Sequence, residues 1–109
     1  MILGKIVGTV VSSSQNIHIK GAKFLLVDKC KQNAETKGDY IVALDLVGAN
    51  KGEVVMISES TSARETQTTI NKPIDAIIVG IIDMIDEKGN IVYKKWGWNL
   101  ISKTTQNFN

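Results

Sequence analysis

Asp39-Tyr40-Ile41-Val42-Ala43-Leu44-Asp45-Leu46-Val47, then Gly48-Ala49-Asn50-Lys51-Gly52, then Glu53-Val54-Val55-Met56-Ile57-Ser58 reads as a strand, a tight connection and a second strand. The two apolar runs are short and rich in Val and Ile, which favours extended backbone over helix. The segment between them is bounded by glycine at both ends and breaks the pattern sharply. The same grammar extends outward in both directions. Upstream, Ile2 to Val11 and Lys23 to Lys29 are further strand-like runs, and Ser12 to Asn16 and Lys31 to Gly38 are polar loops. Downstream, Ile74 to Asp86 reads as a fifth strand, and Ile91 to Tyr93 adds a short sixth beyond Asp86-Glu87-Lys88-Gly89-Asn90.

One segment departs from this pattern. In Ser62-Ala63-Arg64-Glu65, the Ser62 hydroxyl can accept from the Glu65 amide while the Glu65 carboxylate reaches back to the Ser62 amide. A short helix from Ala63 to about Thr68 is predicted, ending before Pro73. Five to six strands with one short helix between the fourth and fifth define an all-β fold, a small OB-like closed β-barrel. The chain has 109 residues, enough for one domain. The barrel is expected over residues 1–95, with residues 96–109 as a C-terminal tail.

Alternation along the strands leaves apolar residues on both faces. Ile2, Ile6 and Val10 oppose Leu3, Val7 and Val11; Tyr40, Val42, Leu44 and Leu46 oppose Ile41, Ala43 and Val47; Ile77, Val79 and Ile81 oppose Ile78, Ile82 and Met84. A small barrel fills its inside with one face and wets the other. One short helix cannot cover three strands, so the surplus apolar surface predicts a protein interface. Gly4 and Gly8, four apart on the first strand, predict close backbone approach there.

Charge and chemistry narrow the function. Thirteen Lys plus Arg against eleven Asp plus Glu give a net charge of +2, interleaved along the chain without a basic arm or acidic tail. Cys30 is the single cysteine, so no intrachain disulfide can form and a reducing cytosol is expected. It sits between Lys29 and Lys31, which would favour a reactive thiolate, but an ordinary thiol at a strand end is the better reading. Met1-Ile2-Leu3-Gly4-Lys5 is not the start of a signal peptide, and the apolar stretch Ala76 to Ile82 is too short to cross a bilayer. His18 is the single histidine and lacks partners for a metal or a nucleophile pair. Asp45, Asp75 and Asp83 would serve an acid–base pair only if they met; hydrogen bonding at barrel ends or subunit contacts is preferred. No catalytic residue, cofactor or metal is therefore assigned. An OB barrel also suggests binding of single-stranded nucleic acid, but only Phe24 and Tyr40 among the aromatics fall in barrel strands, and the lysines alternate with acids.

With these residues assembled, the chain resembles the pentameric vertex proteins of bacterial microcompartments, the family of ethanolamine-utilisation and carboxysome vertex subunits. The resemblance covers about residues 1–95. It rests on Leu3-Gly4-Lys5-Ile6-Val7-Gly8-Thr9-Val10-Val11, Leu25-Leu26-Val27, Ala43-Leu44-Asp45-Leu46-Val47-Gly48-Ala49, Lys51-Gly52-Glu53-Val54-Val55, Ser62-Ala63-Arg64 and Pro73 to Asp83, in that order. Ser60 and Thr61 stand where the family usually has glycine and serine. The resemblance implies a structural, non-enzymatic subunit in a cytoplasmic microcompartment shell. Its partners would be itself, as a homopentamer around a narrow axial opening, and hexameric tile proteins, with no nucleic acid and no membrane. Ser60, Thr61, Ser62, Ala63 and Arg64 are the candidates for the subunit interface or the axial opening. Trp96 and Trp98 are candidate tail contacts, either on a neighbouring subunit, where buried tryptophans often dominate the energy, or on the chain's own barrel.

Overall fold

A computed structural model describes residues 1–11, 23–59 and 76–95. Five strands close a barrel: β1 (Ile2–Val10), β2 (Phe24–Cys30), β3 (Thr36–Asp45), β4 (Val54–Glu59) and β5 (Ala76–Ile81), in the order β1-β2-β3-β5-β4. Every contact is antiparallel except the β3–β5 pair, which is parallel. The β5 strand therefore inserts between β3 and β4, and the connection from Leu46 to Glu53 spans the barrel end. Closure leaves no unpaired barrel edge. The all-β barrel expected from the sequence is the observed architecture. Among the described residues there is no multi-residue helix, and the helix expected over Ala63–Thr68 lies outside them, as do Ser12–Asn16, Asp75 and His18.

Ile6, Leu25, Val27, Ala43, Val55, Ile57 and Ile78 fill the interior. Along β3 the alternation is as read, with Ile41 and Ala43 opposite the inward Val27 and Leu25, and Tyr40 and Val42 on the outer wall. Two strands depart from it. A bulge between Ile6 and Gly8 moves Val10 off the face of Ile2 and Ile6, and it pairs instead with Phe24 on the outside. A second bulge puts Ile78 and Ile81 opposite the inward Ile57 and Val55, so Ile81 does not share a face with Ile77. One extra residue reverses every later side chain in a strand. The first bulge also separates the two glycines. A Cβ on Gly4 would lie 2.3 Å from Val27 Cγ1, whereas one on Gly8 would meet Leu26 at an ordinary 3.9 Å. Of these two glycines, close approach belongs to Gly4.

The run from Ile74 to Asp86 is not one strand. The amide of Ile82 donates to Val54 O (2.8 Å), the chain bends at Asp83, and β6 (Met84–Glu87) pairs with β7 (Asn90–Lys94) in a separate ribbon. Lys88 and Gly89 both have positive φ (53° and 83°), the geometry of a two-residue hairpin turn. At the other boundary that moved, β3 begins at Thr36, inside the expected loop, because Thr36 pairs with Cys30 across a bulge. The hairpin lies against the outside of the barrel: Tyr93 and Ile85 pack with Leu3, Cys30 and Val54. It provides the outer cover for β1 and β4 that the barrel cannot provide for itself.

Candidate subunit interface and barrel ends

Two carboxylates hold the barrel ends by accepting backbone amides. Asp45, nearly buried at the end of β3, accepts from Val47 and Gly48 (both 3.0 Å) and from Ala49 (3.0 Å to Oδ2). Asp28 Oδ1 accepts from Gly38 (2.8 Å) and Asp39 (3.1 Å), fixing the start of β3 against β2. Each carboxylate satisfies donors that the turn leaves without a strand partner. The structural reading of Asp45 is the observed one. Asp83 is exposed beyond the end of β5, and its backbone carbonyl accepts from the Lys95 amide (2.9 Å).

Lys29 lies between Glu59 (3.4 Å) and Asp39 (3.7 Å). Glu59 Oε1 is buried and makes no hydrogen bond, so the Lys29 ammonium at ion-pair distance is its one compensating neighbour among the described residues. This cluster was not found from sequence; Gly4 opposite Lys29, and Glu59 ending β4, are visible only once the register is known.

Between the hairpin and the barrel runs an open cleft of about 670 Å³ lined by Lys5, Glu35, Lys51, Glu53, Lys94 and Lys95 among others. Glu53 accepts from Lys95 Nζ and from the Asn50 amide (2.5 Å), and both paired side chains are largely shielded. The bond from Lys95 holds the Glu53 carboxyl below its ordinary range and raises the Lys95 ammonium above its own. The pair ties the end of β7 to the start of β4. Because the folded-state pKa of Glu53 is depressed, its contribution is present above the ordinary value of 4.5 and is lost as pH falls through the lower folded value. The raised Lys95 contributes below 10.5 and loses its part as pH rises through its folded value. Glu53→Gln is therefore expected to lower stability near neutral pH, and the difference from wild type should vanish on acidification. Urea unfolding at pH 7 and pH 3 checks this; a gap that persists unchanged at pH 3 refutes it.

The carboxylates and lysines of this arrangement act on backbone amides and on one another. Among the described residues no three His, Cys, Asp or Glu side chains gather to hold a metal. Cys30 is buried against Tyr93, and burial raises its thiol pKa, the opposite of activation. Of the aromatics on the barrel, Tyr40 is exposed on the outer wall and Phe24 is half-buried, too few for a base-stacking track. No helix among the described residues is long and apolar enough to cross a membrane. What the surface does offer is apolar: Tyr40 and Val42 on β3, Leu46, Val47 and Val79 near the ends of β3 and β5, and Met84 and Ile91 on the hairpin. The candidates Ser60, Thr61, Ser62, Ala63, Arg64, Trp96 and Trp98 all lie outside the described residues. Sequence pattern alone does not separate the hairpin face, because Met84 continues the apolar run that starts at Ile74.

A closed five-stranded barrel with carboxylate clamps at its ends and large apolar side chains on its exterior has the surface of a subunit that associates with others. The family model described as "Ethanolamine utilisation protein EutN/carboxysome" matches residues 1–83, and the chain belongs to that family. It is 41% identical over 86 residues to the bacterial microcompartment shell vertex protein GrpN of Rhodospirillum rubrum (strain F11), covering 79% of this chain and 97% of the relative. The solved structure of Gloeobacter violaceus CcmL superposes with a TM-score of 0.81 at 36% identity, over 87% of this chain and 98% of the other. A structure titled "GrpN pentameric microcompartment shell protein from Rhodospirillum rubrum" superposes at 0.71 with 41% identity, over 80% and 99%. The chain is thus a structural protein of a microcompartment shell vertex, a cytoplasmic protein shell, and not an enzyme or a nucleic-acid module.

Proposed function

We propose that this chain closes its shell as a cyclic homopentamer set at five-fold corners, with hexameric tile proteins of an unrelated fold around it. The observation that carries the reading is the apolar exterior, Tyr40 and Val42 on the barrel and Met84 and Ile91 on the hairpin, in a chain 41% identical to a protein titled pentameric. A sheet of hexagonal tiles cannot curve into a closed polyhedron without five-fold points. A ring of five therefore has a geometric task that requires no catalytic group. In this reading Ser60, Thr61, Ser62, Ala63 and Arg64 form the rim of the axial opening or an adjoining contact. The vertex domain, barrel and hairpin together, occupies residues 1–95, and the tail from 96 to 109 brings Trp96 and Trp98 to a neighbouring surface.

Native mass spectrometry is expected to give five times the 11.9 kDa subunit. Ending the chain at Lys95 keeps the Glu53 pair, so it should lower oligomer mass at dilute concentration while the β-sheet circular dichroism stays unchanged. In cells, deleting the gene should leave shells elongated or open with their enclosed enzymes active. A stable monomer, or closed shells of normal shape in the deletion strain, would refute the vertex role.

A further inference from the structure

A ring needs two different contact patches on each subunit, placed on different sides so that one copy's first patch meets the next copy's second. The described surface supplies such a pair. The first patch is on the β2–β3 wall, where Tyr40 (59% exposed) and Val42 (46%) stand outward and Val42 is paired with the half-buried Leu26. Leu26 is itself paired with Gly8, which has no side chain, so the wall dips beside it. The second patch is the outer face of the hairpin. Ile85 and Tyr93 are partners facing the barrel, so Met84 and, across the bulge, the Asp86–Ile91 pair face away from it. Met84 (52%) and Ile91 (53%) are accordingly among the most exposed large apolar side chains.

Their placement fits a ring. The hairpin seats on Leu3 of β1, Val54 of β4 and Cys30 at the end of β2, and in the closed order β1-β2-β3-β5-β4 the strand β3, which carries Tyr40 and Val42, lies two positions from β1 and two from β4. The hairpin thus covers the Cys30 end of β2, and the first patch stands beyond it, on β3 and the Leu26 part of β2. The two patches also differ in shape, a wall with a dip and a narrow two-stranded ridge, which suits a head-to-tail contact better than a two-fold one.

We propose that the hairpin ridge of one copy, through Met84 and Ile91, docks on the β2–β3 wall of the next, through Tyr40, Val42 and Leu26. This rests on the pentamer reading and adds the surfaces that make the contact. Cysteine cross-linking separates the two. Val42→Cys with Ile91→Cys in one chain, mildly oxidised and run on a non-reducing denaturing gel, is expected to give a ladder ending at five subunits. Either substitution alone should leave monomers, because Cys30 is buried and the new thiol would meet no copy of itself. Tyr40→Glu and Ile91→Glu should each abolish the five-subunit mass while the β-sheet signal is kept, and mixing those two variants should restore dimers but no ring. Dimers formed by Val42→Cys alone would overturn the head-to-tail contact. So would a wild-type ring of five that both glutamate variants leave intact, with the pentamer reading still standing. A wild-type monomer would overturn both.

Discussion

Ile57→Ala is expected to destabilise the subunit by about 2–5 kcal/mol, the range for truncating a buried Leu or Ile to alanine. Ile57 is fully buried, and through β4 it touches both halves of the barrel. It pairs with Ile2 of β1 on one side and Ile78 of β5 on the other. A closed barrel cannot bring opposite walls together to fill a void without disturbing the ladder all round, so little of the cavity should collapse. Small domains have only about 5–15 kcal/mol of stability in all, so this one change removes a large share. Ring assembly adds stability by mass action, and the comparison must be made at fixed subunit concentration. Urea unfolding should show a lower midpoint with the slope preserved. Ile57→Val should cost about 0.5–1.5 kcal/mol, since it leaves a smaller void. Val79→Ala, at an exposed site on β5, should stay within about 0.5 kcal/mol of wild type. If Ile57→Ala behaves like Val79→Ala, the interior is not packed as described.

The strands of the barrel were legible because each is a short Val- and Ile-rich run ended by a polar or glycine-bearing break. Asp45 was legible too: a carboxylate at the end of an apolar strand, just before a connection full of free amides, has an obvious task. The facing of β1 and β5 was not, because a bulge adds one residue without changing composition. Val7 and Val79 look like their neighbours, and only the register reveals where alternation resets. The split of the fifth run was hidden for a related reason. Ile82-Asp83 contains neither glycine nor proline, and the chain turns there because Ile82 spends its amide on Val54 while Asp83 takes up Lys95. Missing that bend concealed the hairpin, and with it both the Glu53–Lys95 pair and the Met84–Ile91 face. The apolar surplus itself was readable, since it depends on composition per strand and not on register.

Gly4→Val is expected to destabilise the subunit by about 3 kcal/mol, the upper part of the usual overpacking range. Gly4 faces the interior in the first half of β1, paired with Lys29 on β2 and Val55 on β4. The first added carbon would already stand 2.3 Å from Val27 Cγ1 and 3.1 Å from Ile57 Cδ1. Val27 is fully buried and its β-branched side chain is restricted at χ1, so it cannot swing aside without driving its own methyls into the core. Against this, replacing glycine restricts the unfolded chain and returns at most about 1 kcal/mol. Sterics therefore win. The contact also makes a prediction about coupling. Val27→Ala alone should cost stability by leaving a cavity beside Gly4, but Gly4→Ala combined with Val27→Ala should cost less than the sum of the two single changes. The new methyl would occupy space that Val27 vacates, and neighbours in contact are expected to be non-additive by about 0.5–3 kcal/mol. A double-mutant cycle by urea unfolding measures this directly. Strict additivity would mean that Gly4 and Val27 do not share the same space, and that the close approach at this point of the barrel is not what requires glycine.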